Sequence, residues 1–156
     1  MPQPKRKESQ PGAVGHESID GSLTGSELEF DLASELDQLH QDESWLQPAG
    51  RSSKTLVKYP DLRIVLIAMK ANTRMNEHVA AGRISVHSLN GHIRLHLPDR
   101  VVDLPPGHLI AMDQCVPHDV EASEDSAFLL TLSWPLKTKI ASSAARQKKT
   151  VRRKRR

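Results

Sequence analysis

Short runs of strand-forming residues follow one another from residue 54 to residue 134, and each run ends at a turn signal; in the runs 83–89 and 92–97 apolar and polar positions alternate. Alternation sends successive side chains to opposite faces of a strand, and short runs at close spacing are typical of an antiparallel barrel or sandwich. The pair Asn90-Gly91 is a strong hairpin signal, since both residues can adopt positive φ. The pattern predicts eight strands, at residues 54–58, 62–70, 83–89, 92–97, 101–104, 108–112, 118–122 and 127–134.

In two of these strands the alternation also assigns the faces. The side expected to face the core comprises Ile84, Val86 and Ser88 in one strand and Ile93, Leu95 and Leu97 in the next. The opposite side carries His87, His92 and His96, which are therefore expected to face solvent.

A stretch of helical periodicity precedes the strands. Its apolar positions recur at i, i+4, i+8 and i+11, and they are Leu28, Leu32, Leu36 and Leu39. Ser26 can cap the first turn, and the acidic residues of that turn suit the positive end of the helix dipole. The pattern predicts one acidic amphipathic helix within residues 26–46, whose leucines must pack against the flank of the barrel or against a partner subunit.

Charge is distributed unevenly along the chain, which has a formal net charge of +3. Residues 27–43 contain seven acids and no Lys or Arg, whereas residues 136–156 contain ten Lys or Arg and no acid. The segments 1–25 and 136–156 also lack hydrophobic periodicity, so neither can bury enough apolar surface to offset its chain entropy. We expect both segments to be disordered and one folded domain to lie between them.

The basic tail ends in Arg152, Arg153, Lys154, Arg155 and Arg156. Such a run attracts polyanions without reading their sequence, so nucleic acid, an anionic membrane and an acidic protein surface are all candidate partners. A solubilising role and docking on the acidic helix are the alternatives. The tail has no aromatic residue for base stacking, which argues against specific recognition of single strands.

Cys115 is the only cysteine, which excludes an internal disulfide and is typical of a protein in the reducing cytoplasm. No run of 18 apolar residues occurs, so a membrane-spanning helix is not expected. The basic N-terminal residues are not followed by an apolar segment, so a secretory signal is not expected either.

The histidines and glycines of residues 54–134 resemble those of the small single-domain members of the cupin superfamily. The first motif of that family contains His-x-His, then a glutamate, then a glycine. With Gly91 as this last glycine, His78 takes the place of the first histidine. Ala80 and Ile84 then stand where the second histidine and the glutamate are usual.

The second motif of the family runs from a glycine through Pro-x-Gly to a histidine and an asparagine. Gly107 and His118 match it, and the Val-Pro before His118 is a common cupin sequence. Other residues replace the usual Pro, Gly and Asn, and they are Asp113, Cys115 and Ala122. The resemblance implies an all-β fold, an eight-stranded double-sheet jelly-roll barrel preceded by the helix. It also implies that two of the four usual metal ligands are replaced by residues that cannot bind metal.

His78 and His118 are the site residues that the sequence favours. Either they are hydrogen-bonded residues of the barrel cavity, or they retain a divalent metal, with zinc, iron, nickel and manganese as candidates. A metal site of this kind needs about three protein ligands, and Asp113 and Cys115 are the weaker candidates for a third. On spacing alone, Cys115 is a small packed residue, and Asp113 and Asp119 are solvated loop carboxylates.

We therefore expect a cupin barrel that recognises a small molecule in its cavity, with a degenerate or absent metal site and no certain cofactor, rather than an enzyme. The alternative is a metal-dependent cupin enzyme of the oxygenase or isomerase class. A third function is an interaction protein that binds polyanions through its basic tail. Because cupins commonly pair through their sheets, a homodimer is expected.

Overall fold

The fold was obtained as a computed structural model, which describes residues 23–48 and 50–135. The predicted disordered tail, residues 136–156, and nearly all of the predicted disordered segment 1–25 lie outside these residues. Two short helices come first, α1 (Leu32–Leu39) and α2 (Glu43–Leu46). The described strands are β1 (Arg51–Lys58), β2 (Leu62–Met69), β3 (Thr73–His78), β4 (Arg83–Asn90), β5 (Ile93–His96), β6 (Val101–Leu104), β7 (Leu109–Met112), β8 (His118–Ala122) and β9 (Ser126–Ser133).

These strands form two antiparallel sheets. One has the order β1-β2-β9-β4-β7, and the other has the order β3-β8-β5-β6. The inner faces of the sheets enclose the main core, in which Val86, Leu95 and Phe128 are almost completely buried. The predicted all-β jelly roll of two sheets is confirmed, and so are the faces that alternation assigned to β4 and β5.

Strand β3 was not predicted from the sequence, so the described chain has nine strands where eight were expected. Its sequence contains a single strongly apolar residue, Met75, and therefore shows no alternation. The segment nevertheless forms a strand because its backbone pairs with β8. It lies at the edge of its sheet and most of its residues are exposed, so it needs few apolar side chains.

The turn at Asn90-Gly91 does not form the hairpin that its sequence indicates. Strands β4 and β5 belong to different sheets, so this turn carries the chain from one sheet to the other. Of the two turn residues, only Gly91 has positive φ, at 72°, whereas the two-residue hairpin turn of Asn-Gly type needs positive φ at both. A side chain at Gly91 would also collide with the backbone of Asp125, which explains the glycine.

The helical segment is shorter than the predicted span. Helix α1 begins at Leu32 because Asp31, and not Ser26, caps it: the Asp31 carboxylate accepts from the backbone N–H groups of Ala33 and Ser34, at 3.0 and 3.4 Å. A separate turn of helix, α2, follows at Glu43–Leu46. No helix in the described part of the chain is long and apolar enough to span a membrane.

Most of the predicted leucine stripe is covered by the barrel of the same chain, but Leu28 precedes α1 and is exposed. Leu36 and Leu39 are buried in a second apolar cluster with Leu56 of β1 and Leu66 of β2. The sequence left open whether these leucines pack against the flank of the barrel or against a partner subunit, and the structure shows that they pack against the barrel. The stripe therefore no longer gives a reason to expect a dimer.

Candidate functional site

The structure brings the two favoured histidines together. His78 ends β3 and His118 begins β8, and the two residues are paired across these strands. Their ring centroids lie 4.4 Å apart at an interplanar angle of 59°. His118 is buried, with 3% of its surface exposed, whereas His78 is exposed. The pair therefore lies where the barrel interior reaches solvent.

A bulge places His78 in this position. Met75 packs against the core, and strict alternation from Met75 would turn residue 78 to the outer face of its sheet. The pairing register shifts between Met75 and His78, because three steps along β3 oppose two steps along β8. A bulge of this kind re-aims the side chain that follows it, here towards His118.

Backbone carbonyls fix the tautomer of both rings. The Nδ1 atom of His78 lies 2.8 Å from the carbonyl oxygen of Asn76, and the Nδ1 atom of His118 lies 2.8 Å from that of Val116. A carbonyl only accepts, so each Nδ1 carries the donated hydrogen. In the neutral ring the Nε2 atom is then an acceptor, and neither Nε2 has a hydrogen-bond partner among the described residues.

The weaker candidates do not join this pair. Cys115 was predicted to be packed, but it is exposed, and its backbone has a positive φ of 62°. Its backbone N–H donates to the carbonyl of Ala80 at 2.8 Å, which ties the loop before His118 to the loop after His78. The exposed carboxylate of Asp113 pairs with Arg83 at 3.0 Å, in agreement with its expected solvated position.

The residues present do not fit a resident metal of the usual cupin kind. Among the described residues, no group of three or more His, Cys, Asp or Glu side chains could hold a metal ion. Ala80 and Ile84, at the positions of two usual ligands, offer no donor atom, and Ile84 is part of the apolar core. Two imidazoles are fewer than the roughly three protein ligands that such a site needs.

Asp119 is not the solvated loop carboxylate that was predicted. It lies within β8 and is 5% exposed. The guanidinium of Arg74 donates to it twice, from Nε to Oδ1 at 3.1 Å and from Nη2 to Oδ2 at 2.6 Å. This hydrogen bonding and the Asp119 charge raise the pKa of Arg74 above its ordinary value. The sequence contained no signal for this contact, since 45 residues separate the partners.

The outer face of the four-stranded sheet carries the outward histidines. His92 and Arg94 both contact the Asp103 carboxylate at 3.0 Å, and His96 contacts Glu121 at 2.8 Å. The hydrogen bonds from His92 and then from Arg94 hold the pKa of Asp103 below its ordinary value. These histidines are therefore hydrogen-bonded to carboxylates on the side of the sheet opposite His118.

A cleft of about 940 Å³ lies outside the barrel, between α2 and the edge strands β1 and β3. A smaller cleft of about 330 Å³ lies between α1 and β1. Neither is lined by His78 or His118. No pattern in the sequence indicated the larger cleft, because the residues that line it come from two separate segments, 44–51 and 69–76.

Comparison of the sequence with protein-family models and with curated proteins finds no match. Solved structures do resemble the fold. A protein of unknown function from Streptococcus pyogenes is 25% identical, with a TM-score of 0.53 over 57% of this chain and 78% of its own. A cupin-2 domain-containing protein from Shewanella frigidimarina is 13% identical, with a TM-score of 0.55 over 67% and 94%. An RmlC-like cupin from the same organism is 15% identical, with a TM-score of 0.53 over 57% and 80%. The described chain is therefore a cupin-fold domain.

Proposed function

We propose that this domain binds a small molecule at the His78–His118 pair, without a resident metal and without catalysing a reaction. One observation carries the proposal: two imidazoles are in contact, each held through Nδ1 by a backbone carbonyl, so that both Nε2 atoms are left to a ligand. A neutral Nε2 accepts a hydrogen bond, which suits a ligand with hydroxyl or N–H groups. Because His118 is buried, such a bond is stronger there than in water.

The alternative is a metal-dependent enzyme of the oxygenase or isomerase class. The same carbonyl contacts favour it, since a metal-binding histidine usually donates its other ring nitrogen to a carbonyl or carboxylate. The lack of a third ligand among the described residues argues against it. We therefore rank it second.

Metal content separates the two functions. The protein is purified without an affinity tag, dialysed, and analysed for zinc, iron, nickel and manganese. We expect far less than one metal ion per chain, because two imidazoles alone bind divalent metals weakly. Stoichiometric metal that His118→Ala releases from a folded protein would refute the first function and support the second.

Ligand binding tests the pair directly. Ring-¹⁵N spectra follow the Nε2 signals of His78 and His118 during titration with glucose, sorbitol and ethanolamine, which offer hydroxyl or ammonium donors. We expect saturable shifts with at least one compound, and their loss in His78→Gln. The control His108→Gln changes another exposed histidine and should bind as the wild type does. Equal binding by both variants would contradict a role for the pair.

A further inference from the structure

The cleft outside the barrel has a lining that favours anions. Among the described residues that line it are Arg51 and Arg74, and no Asp or Glu belongs to the lining. Its volume of about 940 Å³ is within the range of small-molecule sites, which is roughly 300 to 1,000 Å³. The sign of the charge and the size therefore both suit an anionic small molecule.

Arg51 supplies the charge that is not compensated. It is the first residue of the edge strand β1 and is exposed. Its guanidinium has no ion pair and no hydrogen bond with any other described residue, unlike Arg74, Arg83 and Arg94. An arginine fork without a partner can bind a carboxylate or a phosphate in a bidentate manner.

Arg74 supplies oriented donors. A guanidinium has five N–H groups, and Asp119 accepts from two of them, on Nε and Nη2. Asp119 lies beneath this arginine and does not line the cleft. The ion pair with Asp119 thus compensates the charge of Arg74 and fixes the plane of its guanidinium. The N–H groups that do not contact Asp119 remain available to a ligand in the cleft.

Neutral side chains complete the lining. The amides of Gln47, Asn72 and Asn76 line the cleft and form no side-chain hydrogen bond with other described residues. Amide N–H groups donate to oxyanions as well as to neutral acceptors. Three separate places in the chain, the end of α2, the β2–β3 turn and β3, thus bring amide groups around the two arginines.

We propose that this cleft is a second binding site, which takes a small organic anion through its carboxylate or phosphate group. The site is separate from the His78–His118 pair and does not depend on the function proposed for that pair. Only one of its charges is uncompensated, so selectivity comes from the arrangement of donors around Arg51.

Amide ¹H–¹⁵N spectra test this site, with inorganic phosphate and citrate as the probes at constant ionic strength set by sodium chloride. We expect saturable shifts at Asn72, Thr73 and Asn76. Arg51→Gln should weaken binding at least about tenfold, as expected for the loss of a charge-assisted hydrogen bond. Arg100→Gln removes the same charge from another exposed arginine and should leave binding unchanged. Saturation by phosphate alone or by citrate alone identifies which oxyanion the cleft prefers.

The proposal would be overturned if neither probe gave saturable shifts, or if Arg51→Gln bound the probe with unchanged affinity. It would also be overturned if Arg100→Gln lost as much affinity as Arg51→Gln, because binding would then depend only on the total charge of the protein. If Arg51→Gln does not fold, Asn76→Ala replaces it, because this change removes a lining amide and keeps the carbonyl that holds His78. We expect it to weaken binding severalfold, and unchanged affinity would again contradict the site. His78→Gln should bind phosphate or citrate as the wild type does, which separates this test from the one for the histidine pair.

Discussion

Ser88 offers a sharp test of the packing between the sheets. Its side chain lies on the inner face of β4 and is completely buried, and its hydroxyl has no hydrogen-bond partner among the described residues. Burying an unsatisfied polar group costs about 1–3 kcal/mol. Ser88→Ala removes this cost and leaves a void smaller than a methyl group. We therefore expect the variant to be about 1 kcal/mol more stable than the wild type.

Ser126 provides the matched control. It is equally buried, at 3% exposed, but its hydroxyl is satisfied. It accepts from the backbone N–H of His92 at 3.0 Å and donates to the carbonyl of Glu124 at 2.7 Å. Ser126→Ala leaves these two groups without their partner, so it should lower the stability by about 1–2 kcal/mol. The same substitution is thus expected to have opposite signs at the two positions.

Urea unfolding measures both changes, with the slope m expected to stay constant. In thermal unfolding, 1 kcal/mol corresponds to a midpoint shift of about 4 °C for a domain of this size. A loss of stability in Ser88→Ala comparable to that in Ser126→Ala would refute the reasoning. It would mean that the Ser88 hydroxyl is hydrogen-bonded in solution, to a bound water or to a ligand inside the barrel.

Four further predictions concern the helix, the surface charges, the tail and association. Leu39→Ala should lower the free energy of unfolding by about 2–4 kcal/mol, because the Leu39 side chain packs against the barrel and is only 3% exposed. Leu28 is 39% exposed, so Leu28→Ala should change the free energy of unfolding little. The pKa of Asp103 is lowered in the folded state, so its contribution is present above the ordinary value of 3.8 and is lost as the pH falls through the lowered value. Thermal midpoints of Asp103→Asn should accordingly depend less on pH below about 4 than those of the wild type. Deleting residues 137–156 removes ten positive charges and changes the formal charge from +3 to −7. Any nucleic-acid affinity that electrophoretic binding assays detect in the intact protein should disappear with these residues. In the intact protein, binding that engages six phosphates should weaken roughly a thousandfold between about 50 and 200 mM salt. Light scattering at micromolar concentration should show a homodimer, and a monomer would contradict the expectation drawn from cupins.

The local pattern was enough to predict the class of fold and the faces of its clearest strands. In β4 and β5 one face is buried and the other polar, so alternation alone assigned Val86 and Leu95 to the core. Helical periodicity likewise assigned Leu36 and Leu39 to a buried stripe, but it wrongly included Leu28, which precedes α1 and is exposed. The sequence located the turn at Asn90-Gly91 but did not show that this turn connects two sheets. Whether two consecutive strands pair depends on which sheet each one joins, and this is decided by the tertiary structure.

Contacts between distant segments decided the rest. Strand β3 forms because its backbone pairs with that of β8. The bulge in β3 that turns His78 towards His118 has no signal in the local sequence. Asp119 is buried rather than solvated because Arg74, on the neighbouring strand, covers and pairs with it. The sequence was enough to select His78 and His118 as candidate site residues. Their contact depends on the strand register, and the orientation of their rings depends on hydrogen bonds to backbone carbonyls. Both are established only when the sheets assemble.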